Sequence, residues 1–417
     1  MKIQAIWMTA LLITATTWIY ADTFKSAKPE SVGLSEDRLQ RITNHMNAHV
    51  EAGHFTGATG LIGRKGKLVY FETYGDQDRE ENIPMAEDTI FRIYSMSKAI
   101  TGVAVMMLYE EGHYFLNHPV SRYLPEFADM QVVSTEGGEE KLVPAENKIT
   151  IRDLLRHTSG ITYGGGGNSA KYYREAGVRT PGMDLAEFSQ AVAKAPLEFE
   201  SGTGWWYGFS IDILGRLVEA VSGQPFEEYL AQHLFDPLGM NDTAFYVPEE
   251  NHDRLVKLYT PNESGGVSVN TGRAQDSYKA PPSYPSGGGG LVSSTMDYAR
   301  FCQMLLNNGQ LDGVRILGRK SVELMRTDHL GDIHKYGTLI ARDGVGFGLT
   351  FSITKDIGAT GEIDSNGSYS WGGAAGTRFW IDPKEELFGV FMINILPYNG
   401  LPYGDEFKRL VYQAIVD

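Results

Sequence analysis

Ser95 and Lys98 stand three residues apart at the head of the apolar run FRIYSMSKAITGVAVMMLYEEGH, residues 91–113. On a helix that spacing puts both side chains on one face, within hydrogen-bond reach. The body of the run, AITGVAVMMLY, is apolar almost all round, so it reads as a buried helix of about 17 residues ending near Gly112. Burial disfavours the ammonium form of a lysine in the first turn. Such a lysine can lose its proton and serve as base to the serine, and the helix N-terminus favours a developing alkoxide. The same letters also allow a plainer arrangement, with Ser95 capping the helix and Lys98 snorkelling outward. The pair alone leaves both open.

A second Ser-x-x-Lys pair, Ser352–Lys355, tests the value of the spacing. It lies in GLTFSITKD, which alternates like a strand, where three residues separate opposite faces. That pair is expected to be structural.

Two further stretches could join the chemistry of Ser95. GTGWWYGFSIDILGRLVEAVSG places Tyr207 in a glycine-flanked aromatic loop before a helix, and a phenol there could pass a proton to a leaving group. SYSWGGAAGTRFWID holds Trp371, Gly372 and Gly373 in a strand-like run. Glycines inside a strand mark close approach of a ligand or another backbone, and a free N–H there could stabilise an oxyanion. The plain alternatives are a packed aromatic and a β-bulge.

The elements that must position these residues follow from periodicity. Ser35 caps a helix striped by Leu39, Ile42, Met46 and Val50, and two strands flank a Lys65–Gly66 turn. From about residue 115 to 275 short helices alternate with Gly- and Pro-rich loops; strands return in TRFWID and LFGVFMIN before a last helix from about Asp405. Strands at both ends and helices between predict an α+β sandwich: a mostly antiparallel sheet flanked by helices, with an inserted all-helical lobe. One lobe would comprise about 22–115 and 276–417, the other about 116–275. The glycine runs 164–167 and 287–290 lack the features of phosphate loops and read as mobile connections.

Composition narrows the function classes. The 417 residues, 42% hydrophobic with a net charge of −15, describe a globular protein with no basic surface for nucleic acid. Lys2 and the apolar stretch before Asp22 read as an export signal, residues 1–21, so the mature chain is expected in a periplasm or medium with no membrane span. The only cysteine, Cys302, excludes an internal disulfide and reads as a buried small hydrophobe.

Taken together, RIYSMSKAITGVAVMMLYEEG, ITIRDLLRHTSGITYG, WWYGFSIDILGRLVEAVSGQPFEEYL, SGGGGLVSSTMDYARFCQMLLNNG and WGGAAGTRFWIDPKEEL resemble the class C serine β-lactamases, the penicillin-binding peptidases and their esterase relatives. The resemblance covers most of the mature chain. It implies Ser95 as acylated nucleophile, Lys98 as its base partner and Tyr207 as proton shuttle. It also implies an oxyanion hole from the backbone N–H groups of Ser95 and Ala374.

The departures decide the expected substrate. Where β-lactamases and peptidases carry Lys-Thr-Gly, this chain has Trp371-Gly372-Gly373, and the family's asparagine two places after the tyrosine is Phe209. Losing a charge-assisted contact to a carboxylate costs roughly 1.5–3 kcal/mol, about ten- to a hundredfold in preference. Trp205, Trp206, Phe209 and Trp371 are expected to favour neutral, apolar groups. The reading is a carboxylesterase of neutral, short-chain esters that needs no cofactor. A β-lactamase or D-alanyl carboxypeptidase, an amide hydrolase, and a silent binding protein on this fold stand as alternatives.

Two other constellations are set aside. Gly208-Phe209-Ser210-Ile211-Asp212 lacks the final glycine of a nucleophile elbow. His45 and His49 are four apart, as zinc ligands can be, but only His54 is near as a third, so no metal is expected. His157, in RHTSG, is expected to brace its loop.

Overall fold

The computed structural model describes residues 25–417 except Arg179 and Thr338; the expected leader, 1–21, lies outside the described residues. Ser35 accepts a hydrogen bond from the Arg38 N–H and starts the helix Glu36–Glu51, which buries Leu39, Ile42 and Met46. The chain then forms the strands Gly57–Arg64 and Lys67–Asp78 around Lys65 and Gly66, both at positive φ (50° and 71°), as a tight hairpin requires.

These two strands lie toward one side of a single eight-stranded sheet. From one edge the order is Val345–Phe347, Ser352–Thr354, Tyr369–Gly372, Arg378–Asp382, Leu387–Ile393, Gly57–Arg64, Lys67–Asp78 and Ile83–Pro84. Every pairing is antiparallel, and the chain ends meet where Gly57–Arg64 pairs with Leu387–Ile393.

Alternate residues of the central strands feed two cores. Trp380 and Phe391 face the first helix and the last, Tyr403–Tyr412, together with Phe407. Phe379, Val390 and Met392 face the other way, toward the helices Ser97–Glu110, Ser210–Ser222 and Thr295–Leu306. Cys302 lies fully buried in the last of these. The Ser97–Glu110 helix is buried from Ser97 to Leu108, as its composition requires, and packs against Ser210–Ser222.

Residues 116–275 contribute no strand to the large sheet. The expected all-helical middle nonetheless carries two hairpins, Gln131–Ser134 with Lys141–Pro144 and Tyr259–Pro261 with Val267–Val269. Each strand has three or four residues, too few for a period-2 pattern to stand out. Among the described residues no helix is long and apolar enough to cross a membrane.

Candidate active site

Ser95 does not cap the helix. It lies in a 3₁₀ turn, Tyr94–Met96, ahead of the Ser97–Glu110 helix, whose N-cap position makes no side-chain cap bond. Tyr94 enters the turn at φ 41°, a conformation costly for a non-glycine residue and held here by its surroundings. Ile93 N–H donates to the Leu291 carbonyl (3.1 Å), Leu291 N–H to Ser97 Oγ (3.1 Å), and Tyr298 Oη–H to the Met96 carbonyl (3.0 Å). The hydroxyl of Ser95 is thereby left at the wall of a cleft of about 510 Å³.

Lys98, 1% exposed, points into the molecule and does not snorkel. Its Nζ donates to Ser95 Oγ at 3.2 Å and to the Gly288 carbonyl. It also sits 4.6 Å from the centroid of the Tyr207 ring and 5.8 Å from that of Tyr163. Burial by itself disfavours the ammonium, but Tyr163, Tyr207 and Asp212 more than offset it and hold the Lys98 pKa above its ordinary value. The tyrosines contribute charge only when ionised, so at neutral pH the support comes from Asp212 and the Gly288 carbonyl dipole. Both favour a protonated Lys98.

Tyr207 closes the third side. The Trp371 indole N–H donates to the Tyr207 hydroxyl at 3.1 Å, and the two rings lie 5.4 Å apart. Gly372, Gly373 and Ala374 continue the cleft wall beside Ser95. A Cβ on Gly373 would fall 2.5 Å from the Ile93 carbonyl oxygen and 2.3 Å from Thr377 Oγ1. The glycine therefore lets this strand approach the nucleophile turn, the close approach expected from a glycine in a strand. Ser95, Lys98, Tyr207, Trp371, Gly372, Gly373 and Ala374 thus come together from three separate parts of the chain.

Other expected site residues lie elsewhere. Phe209 is buried against Tyr163 (4.7 Å), Phe188 (5.2 Å) and Tyr173 (6.4 Å), behind Tyr163 and off the Ser95 cleft. Trp205 is in the core, beside Phe347, and Trp206 rests on Tyr336 with ring centroids 5.4 Å apart. Three aromatics in a row cannot all face one cleft, because the short strand Gly204–Trp205 turns alternate side chains to opposite sides. The apolar wall is made instead by Trp371 with Leu339, Ile340 and Val345.

Three contributors escaped the sequence analysis. Tyr163 follows the HTSG loop without any spacing signal. Asp212 carries one, an acid on the apolar face of a helix: its Oδ1 accepts from the Ser286 hydroxyl and from Gly288 N–H (3.2 Å), while burial pushes its pKa up. Gly288 shows that the run 287–290 is not a mobile connection. A Cβ there would fall 2.3 Å from Asp212 Oδ2, and the neighbouring Gly287 carbonyl accepts from Thr101 (2.8 Å). The run 164–167 is by contrast mostly exposed.

His157 packs its ring 4.7 Å from the Tyr207 ring, fully buried at φ 57°. Its ring nitrogens have no hydrogen-bond partner among the described residues. Burial, then the nearby Lys98 charge, holds it well below the ordinary imidazole value, so it is a neutral brace behind the tyrosine. Ser352 and Lys355 do not pair: Lys355 Nζ bonds Asp328 Oδ2 at 2.8 Å.

The cations along the cleft are each matched. Arg342 pairs with Glu362 (3.2 Å), Arg378 with Asp405, and Lys408 with Asp364 (2.6 Å).

A helix-flanked antiparallel sheet that brings a Ser-x-x-Lys turn, a tyrosine and a glycine-bearing strand to one cleft defines a serine hydrolase of the β-lactamase and transpeptidase fold. The comparisons agree. The family model described as Beta-lactamase matches residues 42–413, and the chain belongs to that family. It is similar to protein Rv1367c of Mycobacterium tuberculosis, 35% identical over 83% of this chain and 88% of that one. Esterase EstB of Burkholderia gladioli is 31% identical, with 83% and 87% covered. Among solved structures, simvastatin synthase LovD of Aspergillus terreus superposes with a TM-score of 0.78 at 25% identity, covering 92% of this chain and 98% of LovD.

Proposed function

We propose that the protein is a carboxylesterase that cleaves neutral, short-chain esters through an acyl-enzyme on Ser95. The observation that carries this reading is the cluster in one cleft. Ser95 Oγ lies 3.2 Å from Lys98 Nζ, which sits 4.6 Å from the Tyr207 ring centroid, and the Trp371 indole holds the Tyr207 hydroxyl at 3.1 Å. Ser95 Oγ attacks the ester carbonyl carbon as its proton passes to Lys98 in the neutral amine form; the alcohol C–O bond then breaks as Tyr207 gives its proton to the departing oxygen and is reprotonated from Lys98. Water then attacks the acyl carbon and gives a proton to Lys98, and the Ser95 Oγ–acyl bond breaks as that proton returns to Ser95 Oγ and the acid leaves. The backbone N–H groups of Ser95 and Ala374, which both line the cleft, receive the oxyanion in both steps.

Ester preference rests on what surrounds that carbonyl. Trp371, Leu339, Ile340 and Val345 offer apolar surface, and each cation lining the cleft is already matched by a carboxylate. A penicillin or peptide carboxylate finds no uncommitted cation among these residues. The relatives named as esterases, EstB at 31% identity and lovastatin esterase of Penicillium rubens at 29%, support the same choice.

The test is hydrolysis of a p-nitrophenyl ester series beside a β-lactam panel. Short esters should turn over, and Ser95→Ala should lose at least about 10³-fold. A fluorophosphonate probe should label the native protein and not the variant. Equal ester rates for the two proteins would sink the assignment, and efficient penicillin turnover would move it to the β-lactamase branch.

A further inference from the structure

On the opposite face of the sheet, His45 and His49 of the first helix converge with Glu406 of the last. Spaced four apart, the two histidines share a helix face. Their Nε2 atoms lie 3.3 Å from each other, and 3.1 and 2.9 Å respectively from Glu406 Oε2. We propose that these three side chains form a transition-metal site, best suited to zinc, that ties the first helix to the last.

The separations carry the argument. Ligands of a tetrahedral zinc sit about 2.0–2.1 Å from the ion and therefore about 3.3 Å from one another. An ion about 2 Å from all three atoms would sit about 0.9 Å out of their plane, close to the roughly 0.7 Å of an ideal tetrahedral corner. Two imidazole nitrogens and a carboxylate suit zinc far better than magnesium or calcium, which take oxygen ligands.

The surroundings fit the same reading. A histidine ligand usually donates its second ring N–H to a partner, which fixes the tautomer. His49 Nδ1 has one, His54 Nδ1 at 2.8 Å, and the Tyr403 ring packs 4.9 Å from the His49 ring. His45 is 39% exposed while His49 and Glu406 are 15% and 19%, so an ion can enter and a water can complete the shell. The expectation of no metal arose because the third ligand was sought near the histidines. It lies 357 residues beyond His49.

The site lies on the Trp380 and Phe407 side of the sheet, and none of its three residues lines the Ser95 cleft, so its role is to hold the chain ends together. Protein stripped with a chelator and titrated with zinc chloride should bind one equivalent by calorimetry. Cobalt in its place should give the visible absorption of a tetrahedral centre. At roughly a hundredfold excess over Kd, zinc should raise Tm on the order of 3 °C. All three effects should vanish in His45→Ala and in Glu406→Gln, with ester hydrolysis unchanged. Absent binding in the native chain, or equal binding by native protein and both variants, would overturn the proposal.

Discussion

The Trp371 indole N–H donates to the Tyr207 hydroxyl at 3.1 Å, joining the glycine-bearing strand to the residue proposed as proton carrier. Tyr207 thereby keeps one lone pair engaged and its own proton free for the cleft. Trp371→Phe keeps the ring and removes only the donor. One neutral hydrogen bond is worth about 1 kcal/mol, so kcat should fall about fivefold with KM little changed. Tyr207→Phe removes the proton carrier itself and should cost about 10²–10⁴-fold in kcat. Steady-state kinetics on one p-nitrophenyl ester checks both, and a Tyr207→Phe enzyme of native kcat would remove Tyr207 from the mechanism.

The raised pKa of Lys98 gives the pH profile a direction. At a given pH, a pKa held above the ordinary lysine value reduces the fraction able to accept a proton from Ser95. Each unit of pH then raises that fraction tenfold, so kcat/KM should climb from pH 7 until the protein unfolds. Asp212→Asn removes the anion that supports the ammonium and should shift the rise to lower pH. A profile flat above pH 7 in the native enzyme would show that a different group takes the proton.

Gly373→Ala should separate folding from catalysis. The new Cβ would press on the Ile93 carbonyl, two residues before the nucleophile, and on Thr377 Oγ1. The strand must move away from the Ser95 turn, and displacements near 1 Å in a site cost about 10²-fold in rate. Circular dichroism should be native-like while kcat/KM drops by that order. Gly372→Ala is the control, since its Cβ would meet only the Thr377 carbonyl oxygen at 3.1 Å. Equal losses in the two variants would count against the argument.

Stability should also depend on pH through a group far from the cleft. Burial pushes Asp297 up from 3.8 to about 7, against the Asp242 N–H (2.7 Å) and Thr243 hydroxyl (2.9 Å) that favour its charge. The folded state therefore holds this proton more tightly than the unfolded chain. Its contribution is complete below pH 4 and lost as pH rises through 7, on the order of 4 kcal/mol in all. Asp297→Asn, which keeps an acceptor for Thr243, should flatten the Tm profile between pH 5 and 8. An unchanged profile would mean that Asp297 is ionised in the native protein.

Much of this protein is legible along the chain. The cap at Ser35, the Lys65–Gly66 hairpin and the apolar helix after Ser97 depend on neighbours within a few residues. Ser95, Lys98, Tyr207 and the Trp371-Gly372-Gly373 strand were marked by residue type and spacing, and the fold brings them together. The start of the helix was less clear, because the turn at Tyr94 is held by Leu291 and Tyr298, about 200 residues away.

What only the tertiary structure decided are the quantities set through space. The charge of Lys98 depends on Asp212 and Gly288, and the cleft lining on which aromatics the sheet turns inward. By itself the sequence determined which groups could react; the fold decided their protonation, their access to substrate and, at Glu406, a carboxylate partner for His45 and His49 from a distant part of the chain. The physical reason is range: propensity and capping act over one or two turns, whereas burial and Coulomb interaction act across any gap the fold closes.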